Sequence, residues 1–474
     1  MSSQIQQFID QPAYQPEHPI SFRISGSGLR RARSADAKSG GQAILCVSYT
    51  MPQTCFPIAD DAAIKLWHKA DQDVYEDGGT DLAETGDGVA RWANFAQGGS
   101  DAVQAIAGKR PIYSEAIPAG VFNGSGGLSF GSNRSLSLPD DWQENGFYAF
   151  IVQRSGNSAS PQAILASTEA PDRPVLQVFK DEDEYFARLG TASQNAQVRI
   201  GTDATAGSEY HILEVGHFND VLTVSFDGKA NFNESFVPAG ASTGLIQQIL
   251  LGEDPNDDLA DFQGEIAEII LLDRPPNGVE KGQILTYLSI RHGIRIGFNR
   301  HNYYSYGSHD DRLFGIGQNL DQRCLFKDNS RSVMPGNRVR FSEPSDLDEG
   351  EFLVSGDDDG SEVQPSFNVP PGFSLRLARS WRVQEFGEAG TITLEFDLSG
   401  LSANLDQAGR YFLLRDDDGD FADASILNNT IPSLQDSVLR FTDIDLNDGD
   451  YYTLAYREGV QVRPKVILSG AYNA

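Results

Sequence analysis

Cysteine is scarce: Cys46, Cys55 and Cys324 are the only three in 474 residues. They lack the paired spacing of a zinc site or redox motif, and an odd count cannot pair off within one chain. A Cys46–Cys55 bridge and free thiols both stay open. No run of eighteen apolar residues occurs, which sets the sequence against a membrane-spanning helix. The N-terminus, MSSQIQQFIDQPAYQPEHP, has no apolar core of the kind a secretory signal carries. The expected route to the outside is therefore leaderless, or within a particle such as a virion. Basic residues are few, 37 against 67 acidic, for a net charge of −30. That balance argues against nucleic acid and against insertion into anionic membranes. It suits salty or calcium-rich surroundings, and a plain solubility surface accounts for it equally well.

Catalytic motifs are missing as well. There is no HExxH, no P-loop and no complete G-x-G-x-x-G. GLSFG (Gly127 to Gly131) has the G-x-S-x-G spacing, but a nucleophile elbow must run into a helix. Here SNRSLSLPDDW follows, with no helical period and a proline, so a strand is expected. Paired acids of a sandwich glycosidase must face one sugar. Glu265 and Glu268, three apart, are expected on opposite faces of a strand. Glu395 and Asp397 share a face and lack a third acid, the pattern of a solvent-side ladder.

What is abundant is glycine, 47 residues, together with aromatics and β-branched runs. From about residue 61, short apolar runs such as GFYAFIVQRS, YHILEVGHF and EIAEIILLDR are broken by Gly, Asn, Asp and Pro at intervals of about ten residues. Asp227-Gly228 is a hairpin signal. NGVEKGQILTYLSIRHGI predicts one helix, with Asn277 as N-cap and Gly293 as stop. After an aromatic, polar stretch at 301–320, strands resume to the end. Three parts are expected: 1–60, an arm with a basic segment and one strand; 61–300, a β-sandwich; 301–474, a second, smaller β-sandwich. The arm's Arg30, Arg31 and Arg33 could dock on an acidic neighbour in an assembly of like chains, or belong to a mobile tail.

Two acidic runs carry the metal question. In YFLLRDDDGDFADA, Asp416, Asp418 and Asp420 alternate around Gly419. Aspartates two apart in a glycine-bent loop can converge on calcium, which takes six to eight oxygens. Asp357 and Asp359, in GDDDGSE, form a weaker copy. The alternative for both is a solvated turn, since Asp and Gly are common turn formers. Glycans stack on exposed rings. Trp142, Tyr303, Tyr304 and Tyr306 are the candidate ligand-binding aromatics.

The ordered set LWHKADQDVYEDGG, RWANFAQGG, KRPIY, GVFNGSGGLSF and FQGEIAEIILLDRPPNGVEKGQILTYLSIRHGI resembles the laminin-G-like, concanavalin-like jelly-roll domains of bacterial and phage surface proteins. Residues 310–460, with FGIG at Phe314 to Gly317, Trp381, Glu385 and Asp416 to Phe421, resemble the β domain that often follows it. The resemblance implies an all-β chain with few short helices, a jelly roll plus a smaller sandwich, and it puts Trp67, Trp92 and Trp381 at framework positions, where core packing is expected. It implies a noncatalytic adhesive or structural role at a cell or virion surface. The expected partners are a glycan or other cell-surface ligand and neighbouring copies reached through the arm. A glycan hydrolase of the same fold is the alternative.

Overall fold

The computed structural model describes residues 29–33, 44–48, 61–96, 98–114, 126–139, 141–143, 146–156, 160–168, 174–191, 194–201, 210–229, 233–237, 245–256, 258–297, 304–318, 326–332, 336–348, 350–362, 366–401, 408–428 and 430–457. The chain divides into two compact units, Met1–Thr54 and Cys55–Ala474. The first holds an antiparallel hairpin in which Leu29–Arg33 pairs with Ile44–Ser48, Arg31 opposite Cys46. The basic segment is thus itself a strand, a second one where a single strand was expected. The side chains of Arg30, Arg31 and Arg33 lie outside the described residues, as does Cys55.

Among the described residues, the second unit is all-β apart from one α-helix and short 3-10 turns. Its first sandwich faces a ten-stranded sheet against an eight-stranded one. In the eight-stranded sheet, Phe147–Ser155 sits between His211–Phe218 and Gly264–Leu272. The ten-stranded sheet runs from Gln194–Gly201 through Glu184–Thr191, Val175–Asp181 and Gln162–Ser167 to Val74–Tyr75. Alternation sorts the residues of each strand between faces. Leu176, Val178, Ala187, Leu189 and Val198 meet Ile151, Leu213, Val224 and Ile269 in one core. Asp227 and Gly228 both take positive φ, 50° and 64°, closing the turn that the sequence signals.

The helix, Gly278–His292, begins at Asn277, whose side chain accepts from Val279 N and Glu280 N, while Glu280 returns a bond to the Asn277 N–H. It stops at Gly293, in the left-handed region at φ 67°. Ile284, Leu285 and Leu288 pack on Trp67, Phe150, Ile270 and Leu272 of the eight-stranded sheet. The same cluster takes in Leu313, Phe352 and Val354 from the second sandwich. Phe352 and Val354 thus face the helix, and Leu353 between them enters the second core. The layers run sheet, sheet, helix, sheet, sheet.

The second sandwich pairs an eight-stranded sheet, containing Asp311–Gln318, Phe352–Asp357, Trp381–Phe386, Tyr451–Tyr456 and Tyr411–Asp416, with a five-stranded sheet. Trp381, Phe341, Phe396 and Tyr452 fill the space between them. Trp67, Trp92 and Trp381 are all buried.

Candidate functional site: an acidic turn beside a tyrosine–arginine stack

Strand Tyr411–Asp416 delivers the first acidic run to the edge of the second sandwich. Asp416 Oδ2 accepts from Asp418 N at 3.2 Å and Gly419 N at 2.6 Å. Asp418 Oδ1 accepts from Asp420 N, and Asp420 Oδ1 from Ala422 N. The run is therefore a sequence of side-chain-braced turns, pinned by the buried ring of Phe421. Oxygens of Asp416, Asp417 and Asp418 lie within 4.8 Å of one another. Asp417, not the expected Asp420, completes the trio, because Asp420 turns to brace Ala422. Three carboxylates can begin a calcium shell, and backbone, water or ligand oxygens would have to complete it.

The second run is corrected more sharply. Arg312 Nη1 donates to Asp357 Oδ1 at 2.7 Å, and Arg312 Nη2 to Asp359 Oδ1 at 2.6 Å. A guanidinium thus stands where the calcium was expected between Asp357 and Asp359. Asp357 is fully buried. Burial pushes its carboxyl up to about 6, against the downward pull of Arg312.

The aromatic candidates separate. Trp142 pairs with Ile246 and is buried against Phe147, so it is core and not a sugar platform. Tyr303 lies outside the described residues. Tyr304 is buried too, its hydroxyl donating to His309 O and Arg382 O. Tyr306 alone is half-buried, with one face on Arg382, whose guanidinium carbon is 3.6 Å from the ring centre. Arg382 also lies 4.5 Å over Tyr451. Tyr306 OH reaches Asp448 at 3.3 Å.

Register joins these pieces. Arg382 is directly opposite Tyr451, and Tyr451 directly opposite Asp416. The three side chains share the sheet face turned away from the second core, the face on which Phe352 and Val354 meet the helix, because Trp381, Val383 and Tyr452 beside them point into that core. A Cβ at Gly419 would lie 3.2 Å from the Tyr451 ring, so the acidic turn wraps that ring closely. Sequence reading picked out Tyr306 and Asp416, but missed Arg382 and Tyr451. Only strand pairing makes them neighbours.

The acids weighed for hydrolysis are tied up otherwise. A bulge opposite Val152 and Gln153 inserts one residue, so Glu265 and Glu268 both face the helix side instead of opposite sides. Glu265 takes Arg154 and Tyr210 OH. Glu268 is wholly buried and takes Trp67 Nε1 at 2.6 Å, Tyr287 OH at 2.7 Å and His292 Nε2 at 2.8 Å. Glu395 bridges Arg340 and Arg440, each at 3.1 Å, as a ladder residue does.

A family model described as a domain of unknown function (DUF8202) matches residues 280–450, less than half of the chain; it starts inside the helix and runs through the second sandwich. No curated protein matches the sequence. Among solved structures, the Trypanosoma rangeli sialidase in complex with sialic acid is 12% identical at a TM-score of 0.34, over 51% of this chain and 36% of that one. Domain 4 of the Geobacillus stearothermophilus arabinanase AbnA, in complex with arabinotriose, is 14% identical at 0.30, over 47% and 97%. The CBM40 of the Ruminococcus gnavus IT-sialidase is 11% identical at 0.28, over 33% and 94%. The chain spans about a third of the length of the sialidase structures it matches. No residue role is carried over from any of them. Over 280–450 this chain is similar to that uncharacterised family.

Proposed function

We propose that the protein is a noncatalytic surface protein that binds glycans at this edge of its second sandwich. The observation that carries this is the cross-strand row Arg382–Tyr451–Asp416, with Tyr306 stacked on Arg382 and the acidic turn wrapped around Tyr451. Such an edge offers a sugar ring what it needs: aromatic surface for its C–H groups, and a guanidinium and carboxylates for its hydroxyls. Calcium held by Asp416, Asp417 and Asp418 would supply a hard cation for sugar hydroxyl oxygens. The first sandwich is read as a laminin-G-like jelly roll, and the setting as extracellular, on a cell or virion surface.

Glycan-array binding of the full chain, with and without chelator, tests this. Binding that weakens on chelation and is lost in Arg382→Ala and Tyr306→Ala is expected. No binding in either condition would sink the reading. Turnover of labelled polysaccharides would favour the alternative, a glycan hydrolase of the same fold.

A second reading, membership of a multi-copy assembly, has its own support. Segment 1–54 carries Arg23, Arg30, Arg31, Arg33 and Lys38 against Asp10, Glu17 and Asp36, in a chain of net charge −30. A two-stranded hairpin is marginal alone. Docking it on the acidic body of a neighbouring copy would stabilise both. Mass photometry after removal of residues 1–54 should show a smaller assembly, and an unchanged one would discard this role.

A further inference from the structure

The outer face of the ten-stranded sheet, on the first sandwich, holds an arginine that the site above does not use. Gln177, Arg188 and Gln197 are directly opposite one another on three adjacent strands. Their neighbours Val178, Ala187 and Val198 point into the core, so these three point out. Arg188 Nη1 donates to Gln177 Oε1 at 3.0 Å. Its Nε and Nη2 both donate to Gln197 Oε1, at 3.0 and 2.9 Å. A guanidinium has five N–H groups, so one remains on each terminal nitrogen.

The arginine is held from behind as well as from the sides. Its guanidinium carbon lies 5.4 Å from the centre of Phe179, which stacks on Phe186 at 4.8 Å. Gln177 is oriented by Asp254, whose Oδ2 accepts from Gln177 Nε2 at 2.9 Å. Asp254 is fixed in turn by Asn256, through its backbone N and Nδ2. Such bracing lowers the entropy that binding would otherwise cost.

Charge makes the arrangement unusual for this chain. Acidic residues outnumber basic ones 67 to 37, and two other described arginines on this face have carboxylate partners. Arg91 pairs with Asp101 at 3.1 Å, and Arg199 with Glu184 at 2.9 Å. Among the described residues, Arg188 is bonded to neutral amides alone. It is half-buried, so water neutralises its charge only in part. Beyond Gln177 the row continues through Ala166 and Leu250, where Gln177 and Ala166 are buried beside the turn that carries Asp254 and Asn256; on the other side Gln197 is exposed.

We infer that this face is a second glycan subsite, specific for a carboxylate-bearing sugar, with Arg188 gripping the carboxylate by its two remaining N–H groups. Fork-to-fork pairing of guanidinium and carboxylate is the geometry such a group favours. Gln197 is exposed, so the sugar would reach the fork from that side of the row. The net charge of the protein does not forbid an acidic ligand, because at ~0.15 M salt charges more than about 8 Å away are screened. This inference extends the glycan-binding reading to a different sandwich and does not depend on calcium or on Arg382.

The test is biolayer interferometry of the full chain on immobilised polygalacturonate, with dextran as the neutral probe, at physiological salt and with chelator present. Binding to polygalacturonate and none to dextran is expected. Arg188→Ala should weaken it by about tenfold or more, the scale of one lost charge-assisted pair. Arg188→Lys should restore part of it, because a point charge replaces the fork. Arg382→Ala should bind polygalacturonate as the parent does, which separates this subsite from the calcium-linked edge. Unchanged melting temperatures verify folding. Should Arg188→Ala not fold, Gln197→Ala, which frees the fork, decides in its place through a several-fold loss. Equal binding by parent and Arg188 variants, equal binding to dextran, or no binding to polygalacturonate would each overturn the inference.

Discussion

Replacing Glu268 by glutamine should destabilise the joint between the sandwiches by about 3–5 kcal/mol, the usual cost of breaking a buried ion pair from one side. The carboxylate lies under the helix and is fully buried. It receives hydrogen bonds from Trp67, Tyr287 and His292, and Arg291 Nε stands 2.9 Å away as an ion pair. Glutamine keeps one oxygen for Trp67 and Tyr287. Its NH2 group then faces the donors His292 and Arg291, and Arg291 is left with Asp71 as its carboxylate partner. The folded-state acidity leads to a similar magnitude. Burial opposes ionisation of Glu268, but Arg291, His292 and Trp67 outweigh it and hold the group at about 2 instead of 4.5. That difference corresponds to roughly 3 kcal/mol, at about 1.4 kcal/mol per pH unit. Because the folded value is depressed, the stabilisation is complete above pH 4.5 and is lost as pH falls towards 2. His292 acts in the same direction, since burial lowers its basicity and acid favours the unfolded chain that can protonate it. Calorimetry should show a drop of about 10 °C in Tm for Glu268→Gln at neutral pH, taking about 2–4 °C per kcal/mol for a domain of this size. The parent and variant curves should converge below pH 4. A loss under about 1 kcal/mol, or an acid limb unchanged by the substitution, would refute the reasoning.

Other outcomes follow from the same structure. Calcium should raise the Tm of the parent but not of Asp418→Ala or Asp417→Ala; an equal rise in all three proteins would remove the acidic turn as the cause. Gly293→Ala should cost about 1 kcal/mol in urea melts, because φ of 67° disfavours any residue with a Cβ. Asp357, raised by burial from 3.8 to about 6, favours the folded state in its protonated form. Its contribution is therefore present below 3.8 and lost as pH rises through 6, and Asp357→Asn should flatten stability across that window.

Local features of the fold were legible in the sequence for local reasons. The helix could be placed because Asn277 and Gly293 are punctuation whose chemistry acts within one turn. Strands announced themselves by alternation, and the framework tryptophans by the positions the resemblance gave them. The failures are equally physical. One inserted residue opposite Gln153 brought Glu265 and Glu268 to the same side, which strict alternation cannot foresee. Arg312 reaches Asp357 across 45 positions of sequence, so an acidic run that reads as a cation site already holds an internal cation. Trp142 looked like an exposed platform because its partner Ile246 lies in a distant strand. Arg382 and Tyr451 stayed hidden for the same reason, and so did Gln177, Arg188 and Gln197, whose alignment exists only in the sheet register.

Lys327, which belongs to the second sandwich, donates to Ile290 O and Arg291 O in the last turn of a helix that lies against the first. Those carbonyls are among the four that any helix leaves open at its end. A gene rearrangement that parted the sandwiches would hand one descendant a helix with a bare terminus and the other an ammonium stripped of its acceptors. The piece that can be inherited whole is thus sandwich, helix and sandwich together. Insertions and deletions among descendants should collect in the outer loops and spare the stretch from Asn277 to Lys327.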